Sequence, residues 1–150
     1  MDPITVKLNA IQWKFADADP AAKNEMARRI ADVGRREAKP IYYSDLVRGI
    51  TLRIPTVHGG EPFELGGEEG WMDLHRAVLG DFLGSISADT YRNAGFWATA
   101  LVVAKADDLP SPSFFKWMVD LGVLPDIKQD TIYEFWAKES RKAYEWYAEH

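Results

Sequence analysis

The stretch FWATALVVAKADDLPSPSFFKWMVDL, residues 96 to 121, decides the fold class of this chain. Its apolar run from Ala98 to Ala104 is typical of a β-strand that is covered on both faces or lies at the centre of a small sheet. Ser111 then offers an N-cap oxygen, and Pro112 suits a first helical position. Gly122 follows where that helix would end. A strand, a turn and a capped helix predict a mixed α+β domain.

Composition places the chain among single-domain proteins. It has 150 residues, of which 47% are hydrophobic and 13% aromatic, enough to close one core but not two. The lack of cysteine excludes disulfides, thiolate nucleophiles and cysteine-based metal sites, and it predicts a cytoplasmic location. No signal-peptide pattern opens the chain, and no apolar run reaches the length of a membrane span. The sequence therefore predicts one α+β domain, residues 1 to 150, without membrane association.

The N-terminal third adds a predicted strand and two predicted helices. Residues 4 to 10 alternate between apolar and polar side chains, which is typical of a strand. Asp19 and Pro20 open a helix that must stop before Pro40. Ser44 is predicted to be the N-cap of a short helix that follows.

Two longer helices are predicted in the second half of the chain. Helical spacing beyond residue 70 predicts an amphipathic helix whose stripe comprises Trp71, Leu74, His75, Val78, Leu79, Phe82, Leu83 and Ile86. Thr131 and Glu134 have capping-box spacing, and they predict a last helix that ends within a few residues of His150. The expected architecture is four or five helices packed on a small β-sheet.

A segment rich in glycine and proline lies between these halves. Residues 51 to 70, TLRIPTVHGGEPFELGGEEG, contain five glycines and two prolines, too many for a helix. They predict a long loop or a loose hairpin. A loop of this length in a compact domain is more often functional than idle.

The formal net charge is −5, but its distribution along the chain is uneven. Basic residues concentrate between positions 28 and 53, and acidic residues between positions 54 and 90. The basic set, joined by rings that could stack on bases, is the candidate nucleic-acid or anion-binding surface: Arg28, Arg29, Arg35, Arg36, Lys39, Tyr42, Tyr43 and Arg48. The alternatives are that the two charged regions pair two copies of the chain, or that both are simply solvated faces.

Three short segments carry a resemblance to a known class of protein. IYYSDLV at 41–47, LVVAK at 101–105 and the turn from Pro110 to Phe115 resemble small bacterial modules of the helix-turn-helix or winged-helix type. IYYSDLV is also similar to a segment of the alkyltransferase-like winged-helix domains. The reactive-cysteine motif of that family, Pro-Cys-His-Arg, has no counterpart here, so alkyl transfer is excluded. The resemblance implies a winged-helix-like scaffold and raises DNA binding as an expectation.

The same resemblance departs from a helix-turn-helix in one respect. That motif joins its two helices by three or four residues, whereas about twenty separate Ile50 from Trp71. The outward positions of the Trp71 helix include Asp73 and Asp81 where a recognition helix would be basic. The resemblance therefore implies a winged-helix-like scaffold more firmly than it implies DNA binding.

Histidines and carboxylates near the glycine-rich loop form the alternative ligand site. His58, Glu61 and His75 could hold a ligand or a metal ion, although their spacing matches no recognised metal motif. No nucleophile elbow, phosphate loop or dinucleotide fingerprint is present. The sequence predicts no cofactor and supplies no complete catalytic set, so it leaves open whether the protein is an enzyme.

Aromatic residues spread around more than one side of the predicted last helix. Five of them are candidate interface residues: Tyr133, Trp136, Tyr144, Trp146 and Tyr147. Because one small core cannot easily cover rings on all sides, they predict a homodimer. The alternative is that they pack within the monomer.

The charged and aromatic surfaces together favour a non-catalytic binding module that contacts nucleic acid or an acidic protein. A regulatory, defence or mobile-element role is the expected setting. The alternative is a small enzyme or a ligand- or metal-binding protein that uses the glycine-rich loop with His58 and His75.

Overall fold

Six α-helices and a two-stranded sheet make up the fold, in a computed structural model that describes residues 1 to 150. The helices are α1 (Pro3–Asn9), α2 (Pro20–Glu37), α3 (Tyr43–Val47), α4 (Asp73–Ala94), α5 (Pro112–Asp120) and α6 (Gln129–Glu149). The strands are β1 (Ile41–Tyr42) and β2 (Val102–Val103), and single 3-10 turns lie at His58–Gly60, Glu68–Gly70 and Ala98–Leu101. The predicted α+β class is confirmed, with helix predominating.

The sheet is smaller than the apolar run suggested. Only Val102 and Val103 are extended, and they pair in parallel with Ile41 and Tyr42. The first part of the predicted strand, Ala98–Leu101, is a buried 3-10 turn. A continuous apolar run indicates that a segment is buried on every side. A buried strand and a buried helical turn both show this pattern, so the run could not distinguish between them.

The predicted strand at residues 4 to 10 is wrong, because these residues form α1. Asp2 caps this helix by accepting a hydrogen bond from the Thr5 backbone N–H at 2.9 Å, and Pro3 occupies the first turn. Leu8 is the only residue of α1 that is fully buried. The alternation of apolar and polar side chains therefore did not reflect a strand with one buried face.

Two of the four predicted N-caps are confirmed and two are wrong. Asp19 caps α2 and Ser111 caps α5, each followed by a proline in the first turn. Ser44 is not an N-cap, because α3 already begins at Tyr43. Thr131 is not an N-cap either, since α6 begins at Gln129. Neither of these two helices has a side-chain cap, so capping residues in the sequence could not mark where they begin.

Helix α4 runs through the centre of the molecule. It begins at Asp73, two residues after the predicted start, and is buried continuously from Phe82 to Ala88. Helix α6 packs along α2 and against the Ala98–Leu101 turn. There its buried Glu139 accepts a hydrogen bond from the Trp97 backbone N–H and pairs with Lys142. The helices α2, α4 and α6 thus all pack on the turn that precedes β2, whereas α3 packs on the sheet.

The segment from 51 to 70 is a loop with one point of closure. Leu52 and Phe63 exchange two backbone hydrogen bonds, at 2.7 and 3.0 Å, in an isolated antiparallel bridge. This closure fits the loose hairpin among the two predicted forms. None of the helices combines the length and the hydrophobicity that a bilayer crossing requires.

Candidate functional site

A cavity of about 950 Å³ opens beside α4, between α5 and the Glu68–Gly70 turn. Three tryptophans, Trp13, Trp71 and Trp117, line it, and we call it the tryptophan pocket. The lining also includes Tyr43, Glu68, Glu69, Arg76, Gly80, Gly84, Lys105, Ser111 and Ser113. Its size is that of sites for drug-sized organic molecules.

One wall is formed by Trp13, which α4 holds in place. The Oδ2 atom of Asp81 accepts hydrogen bonds from the backbone N–H groups of Phe15 and Ala16, both at 2.9 Å. A Cβ at position 84 would lie 2.6 Å from the Trp13 ring, so only glycine lets the ring rest directly on the helix backbone. The side chain of Trp13 also packs against both hydrophobic clusters of the core. This wall is therefore fixed by two separate features of α4.

The second wall comes from α5. Trp117 meets Trp13 edge to face at a centroid distance of 6.0 Å and meets buried Trp97 at 5.5 Å. Aromatic pairs favour such angled contacts. The indole N–H groups of Trp13 and Trp117 find no acceptor within the chain, unlike that of Trp71. These two walls offer ring surface to the cavity.

The third wall joins the glycine-rich loop to the sheet. The Trp71 indole N–H donates to the Gly66 carbonyl at 2.8 Å, and Arg76 donates to the Trp71 carbonyl at 2.6 Å. Tyr43 contacts Trp71 edge to face at 6.5 Å. Its hydroxyl accepts a hydrogen bond from the Ser111 backbone N–H at 2.8 Å, and burial raises the pKa of Tyr43 to about 12. Tyr43 is thus a neutral group whose own proton has no acceptor in the protein.

The floor of the pocket is the small-residue face of α4. A Cβ at Gly80 would meet no atom within 4 Å, in contrast to one at Gly84. A glycine inside a helix costs about 0.5–1 kcal/mol relative to alanine, and no contact within the chain explains that cost at position 80. The helix surface at Gly80 is open to whatever enters the cavity.

The pocket is lined by two positively and two negatively charged side chains. Arg76 and Lys105 carry positive charge, Glu68 and Glu69 carry negative charge, and none of the four is in an ion pair. No histidine lines the cavity, and the hydroxyls of Ser111 and Ser113 bond to each other at 2.9 Å. A nucleophile next to a base is therefore missing.

The predicted basic surface is largely neutralised by its own chain. Arg28 pairs with Glu25 and Asp32. Arg29 pairs with Glu25 and donates to the carbonyls of Asp45, Leu46 and Arg48. Arg35 pairs with Asp32, Lys39 with Glu37, and Arg48 with Asp45. Only Arg36 lacks such a partner. The Tyr42 hydroxyl donates to Asp108 at 2.8 Å, and Tyr43 lies in the tryptophan pocket instead. Anion binding by this surface stays a prediction, with less free charge than the sequence suggested.

Charge reversal at Arg36, which has no partner, and at its neighbour Arg35 tests that prediction. We expect the double variant Arg35→Glu/Arg36→Glu to lose the salt-dependent binding of single-stranded DNA that a basic surface gives, with stability changed by less than about 0.5 kcal/mol. Fluorescence anisotropy of a labelled oligonucleotide at low and moderate salt measures the binding. Lys116→Glu, at an exposed position of α5, is the matched control. Equal binding by wild type and the double variant would remove this surface from consideration.

The structure brings two members of the alternative site together and leaves out the third. The Nε2 atoms of His58 and His75 lie 3.0 Å apart, although the residues are 17 positions apart in sequence. Burial, and then the neighbouring His58, lowers the pKa of His75. The Glu61 side chain is exposed and makes no hydrogen bond to either ring. No group of three or more possible metal ligands is formed anywhere in the chain.

Most of the candidate interface rings of α6 pack within the monomer. Tyr147 is buried, Tyr144 and Trp146 pack against the core, and the Trp136 indole N–H donates to the Ala100 carbonyl at 2.8 Å. Only Tyr133, at 45% exposure, is largely open to solvent. The homodimer stays a prediction, but the structure places most of the rings that suggested it inside one chain.

Sequence reasoning missed the tryptophan pocket. Its walls come from the loop before α2, the turn before α4, and α5, so no local pattern unites Trp13, Trp71 and Trp117. One signal was present, because Gly80 and Gly84 lie one helical turn apart inside a strongly helical segment. No protein-family model, curated protein or solved structure matches the chain.

Proposed function

We propose that the protein is a non-catalytic binding module and that the tryptophan pocket holds an organic ligand with a flat, apolar body. The observation that carries this proposal is the open helix surface at Gly80, which lines a cavity of about 950 Å³ together with three tryptophans. Binding sites for small organic molecules are typically concave, largely apolar and furnished with a few polar groups.

The shape of the ligand follows from the walls. Angled ring faces at Trp13 and Trp117 favour a flat body, since a ring can stack on one face while its edge meets the other. Stacking on aromatic side chains contributes about 1–3 kcal/mol per ring where it has been measured with nucleobases. The unused donors of Tyr43, Trp13 and Trp117 suit hydrogen-bond acceptors on such a ring. A heteroaromatic molecule satisfies both requirements.

Filling the pocket from its floor tests the proposal. We expect Gly80→Leu to abolish ligand binding while the protein stays folded, because the new side chain enters empty space. Gly80→Ala is the matched control, and it should keep binding and raise stability by about 0.5–1 kcal/mol. Saturation-transfer NMR with indole, 2-naphthol and adenosine as probes measures the binding. Equal binding by Gly80→Leu and wild type, or no binding of any probe to wild type, would contradict the proposal.

Several finer expectations stay proposals beside this one. The IYYSDLV and LVVAK segments support a winged-helix-like scaffold, and the basic set around Arg36 supports contact with nucleic acid or an acidic protein. The lack of cysteine supports a cytoplasmic location. Exposed Tyr133 supports self-association only weakly, since one ring is a small contact.

A further inference from the structure

We propose that the ligand of the tryptophan pocket is a neutral heteroaromatic lactam, a flat ring that carries an N–H donor beside a carbonyl acceptor. The Tyr43 hydroxyl donates to the carbonyl of this ligand, and the Glu68 carboxylate accepts from its N–H. Both residues line the cavity. This inference rests on the function proposed above, and it adds the chemical class of the ligand and the two residues that select it.

Tyr43 supplies a hydrogen-bond donor that the chain itself does not use. Only 7% of the residue is exposed. Its hydroxyl oxygen accepts the Ser111 backbone N–H at 2.8 Å, but the hydroxyl proton has no acceptor in the protein. Burial raises the pKa of Tyr43 to about 12, so this proton is present at neutral pH. Because a buried polar group without a partner is costly, a ligand that accepts the proton gains a bond for which no protein group competes.

Glu68 supplies the matching acceptor. Its carboxylate is in no ion pair and accepts no hydrogen bond within the chain. Its backbone is held in place, since the Glu68 carbonyl accepts the Trp71 N–H at 3.2 Å and a longer bond from Arg76 at 3.4 Å. Glu69 differs, because its carboxylate lies over Gly67, where an added Cβ would be 2.5 Å from Oε1. An ionised carboxylate that is free, such as that of Glu68, is a strong acceptor.

The two groups lie in the same corner of the pocket. The ring of Tyr43 contacts the ring of Trp71 at a centroid distance of 6.5 Å, and the Trp71 backbone is hydrogen-bonded to Glu68. Beside burial, the negative charges of Glu68 and Asp107 raise the pKa of Tyr43, which requires both carboxylates to lie near its ring. Tyr43 and Glu68 are not hydrogen-bonded to each other, so one ligand edge can bridge them.

The charges around this corner disfavour two other ligand classes. A carboxylate accepts the Tyr43 proton but is repelled by Glu68 and Asp107. An ammonium group pairs with Glu68 but has no lone pair for the Tyr43 proton. Of the two cations of the pocket, Arg76 donates to backbone carbonyls, and Lys105 is exposed where water and salt screen its charge. A lactam is neutral and satisfies both groups through adjacent atoms.

A matched pair of ligands tests the class. The probe 2-quinolone is a flat lactam, and N-methyl-2-quinolone keeps the carbonyl but loses the N–H donor. We expect wild type to bind the lactam at least about tenfold more tightly, because hydrogen bonds to charged groups contribute most. In Glu68→Ala this ratio should fall to about twofold, and in Glu68→Gln, which keeps an acceptor oxygen, it should lie between. Chemical-shift titration by NMR measures each Kd.

Tyr43→Phe gives the complementary result. This variant keeps the ring but removes the donor, so it should weaken both ligands by the same factor, about three- to tenfold, since both keep the carbonyl. Glu64→Ala is the control, because Glu64 is an exposed carboxylate of the same loop that does not line the cavity, and both affinities should stay unchanged. Circular dichroism checks that each variant is folded. If Tyr43→Phe does not fold, the ligand pair and the Glu68 variants still decide the outcome.

The outcomes separate this inference from the proposed function. Equal binding of the two ligands by wild type, with both abolished in Gly80→Leu, would overturn the lactam class and leave the pocket as the binding site. An unchanged ratio in Glu68→Ala would show that Glu68 does not select the ligand. If wild type binds neither ligand, the lactam class is wrong. If it also binds none of indole, 2-naphthol and adenosine, the function proposed above falls as well.

Discussion

Replacing Phe82 by alanine should lower the free energy of unfolding by about 3–5 kcal/mol. Phe82 lies in the middle of α4 with none of its surface exposed, inside the larger of the two hydrophobic clusters. The loss combines the transfer free energy of the ring with the cavity that it leaves, because the surrounding helices can relax only in part. An effect of this size is a large share of the stability of a domain.

Urea unfolding followed by circular dichroism measures the change. Leu74→Ala is the matched control, because Leu74 lies on the same helix with 39% of its surface exposed, and it should cost less than about 1 kcal/mol. Similar losses for the two variants would show that α4 is not central to the core.

The second large effect is expected at Asp81. Asp81→Ala should cost about 2–4 kcal/mol, because it leaves the N–H groups of Phe15 and Ala16 without an acceptor, and both residues are buried. The same change frees the Trp13 wall, so ligand binding in the tryptophan pocket should weaken as well.

Two comparisons separate these effects. Asp81→Asn keeps a carbonyl oxygen and should lose less stability than Asp81→Ala. Asp73→Ala removes an exposed carboxylate from the first turn of the same helix and should change little. Equal stability of Asp81→Ala and wild type in urea unfolding would show that the two hydrogen bonds do not anchor the loop.

Local signals predicted the helices that carry them. Asp19 with Pro20 and Ser111 with Pro112 each place a capping oxygen and a preset φ at a helix start, and both helices begin where expected. The same signal is present at Asp2 and Pro3 and marks the start of α1, whereas the alternation of residues 4 to 10 predicts a strand there. A capping pair acts over a few residues, whereas the burial of one face depends on the whole fold.

The functional surfaces could be predicted in the same way only in part. Whether Arg28 is free or paired depends on Glu25 and Asp32, one turn of α2 away on either side, which spacing alone could have shown. Trp13 packs on α4 at Gly84, some seventy residues further along the chain. Periodicity in the sequence does not indicate a contact between residues so far apart. The approach of His58 to His75 likewise depends on three consecutive residues with positive φ.

The parallel pairing of β1 with β2 bears on the order in which the chain folds. Its two residue pairs join segments that are about sixty residues apart, so the entropy of closing that loop is lost for very few hydrogen bonds. Such a contact cannot nucleate folding on its own, and it must wait until helix packing has brought the two ends together. We therefore expect the sheet to pair late, once the helices have packed. Tyr43, the residue after β1, then lies where its hydroxyl accepts the hydrogen bond from the Ser111 backbone N–H.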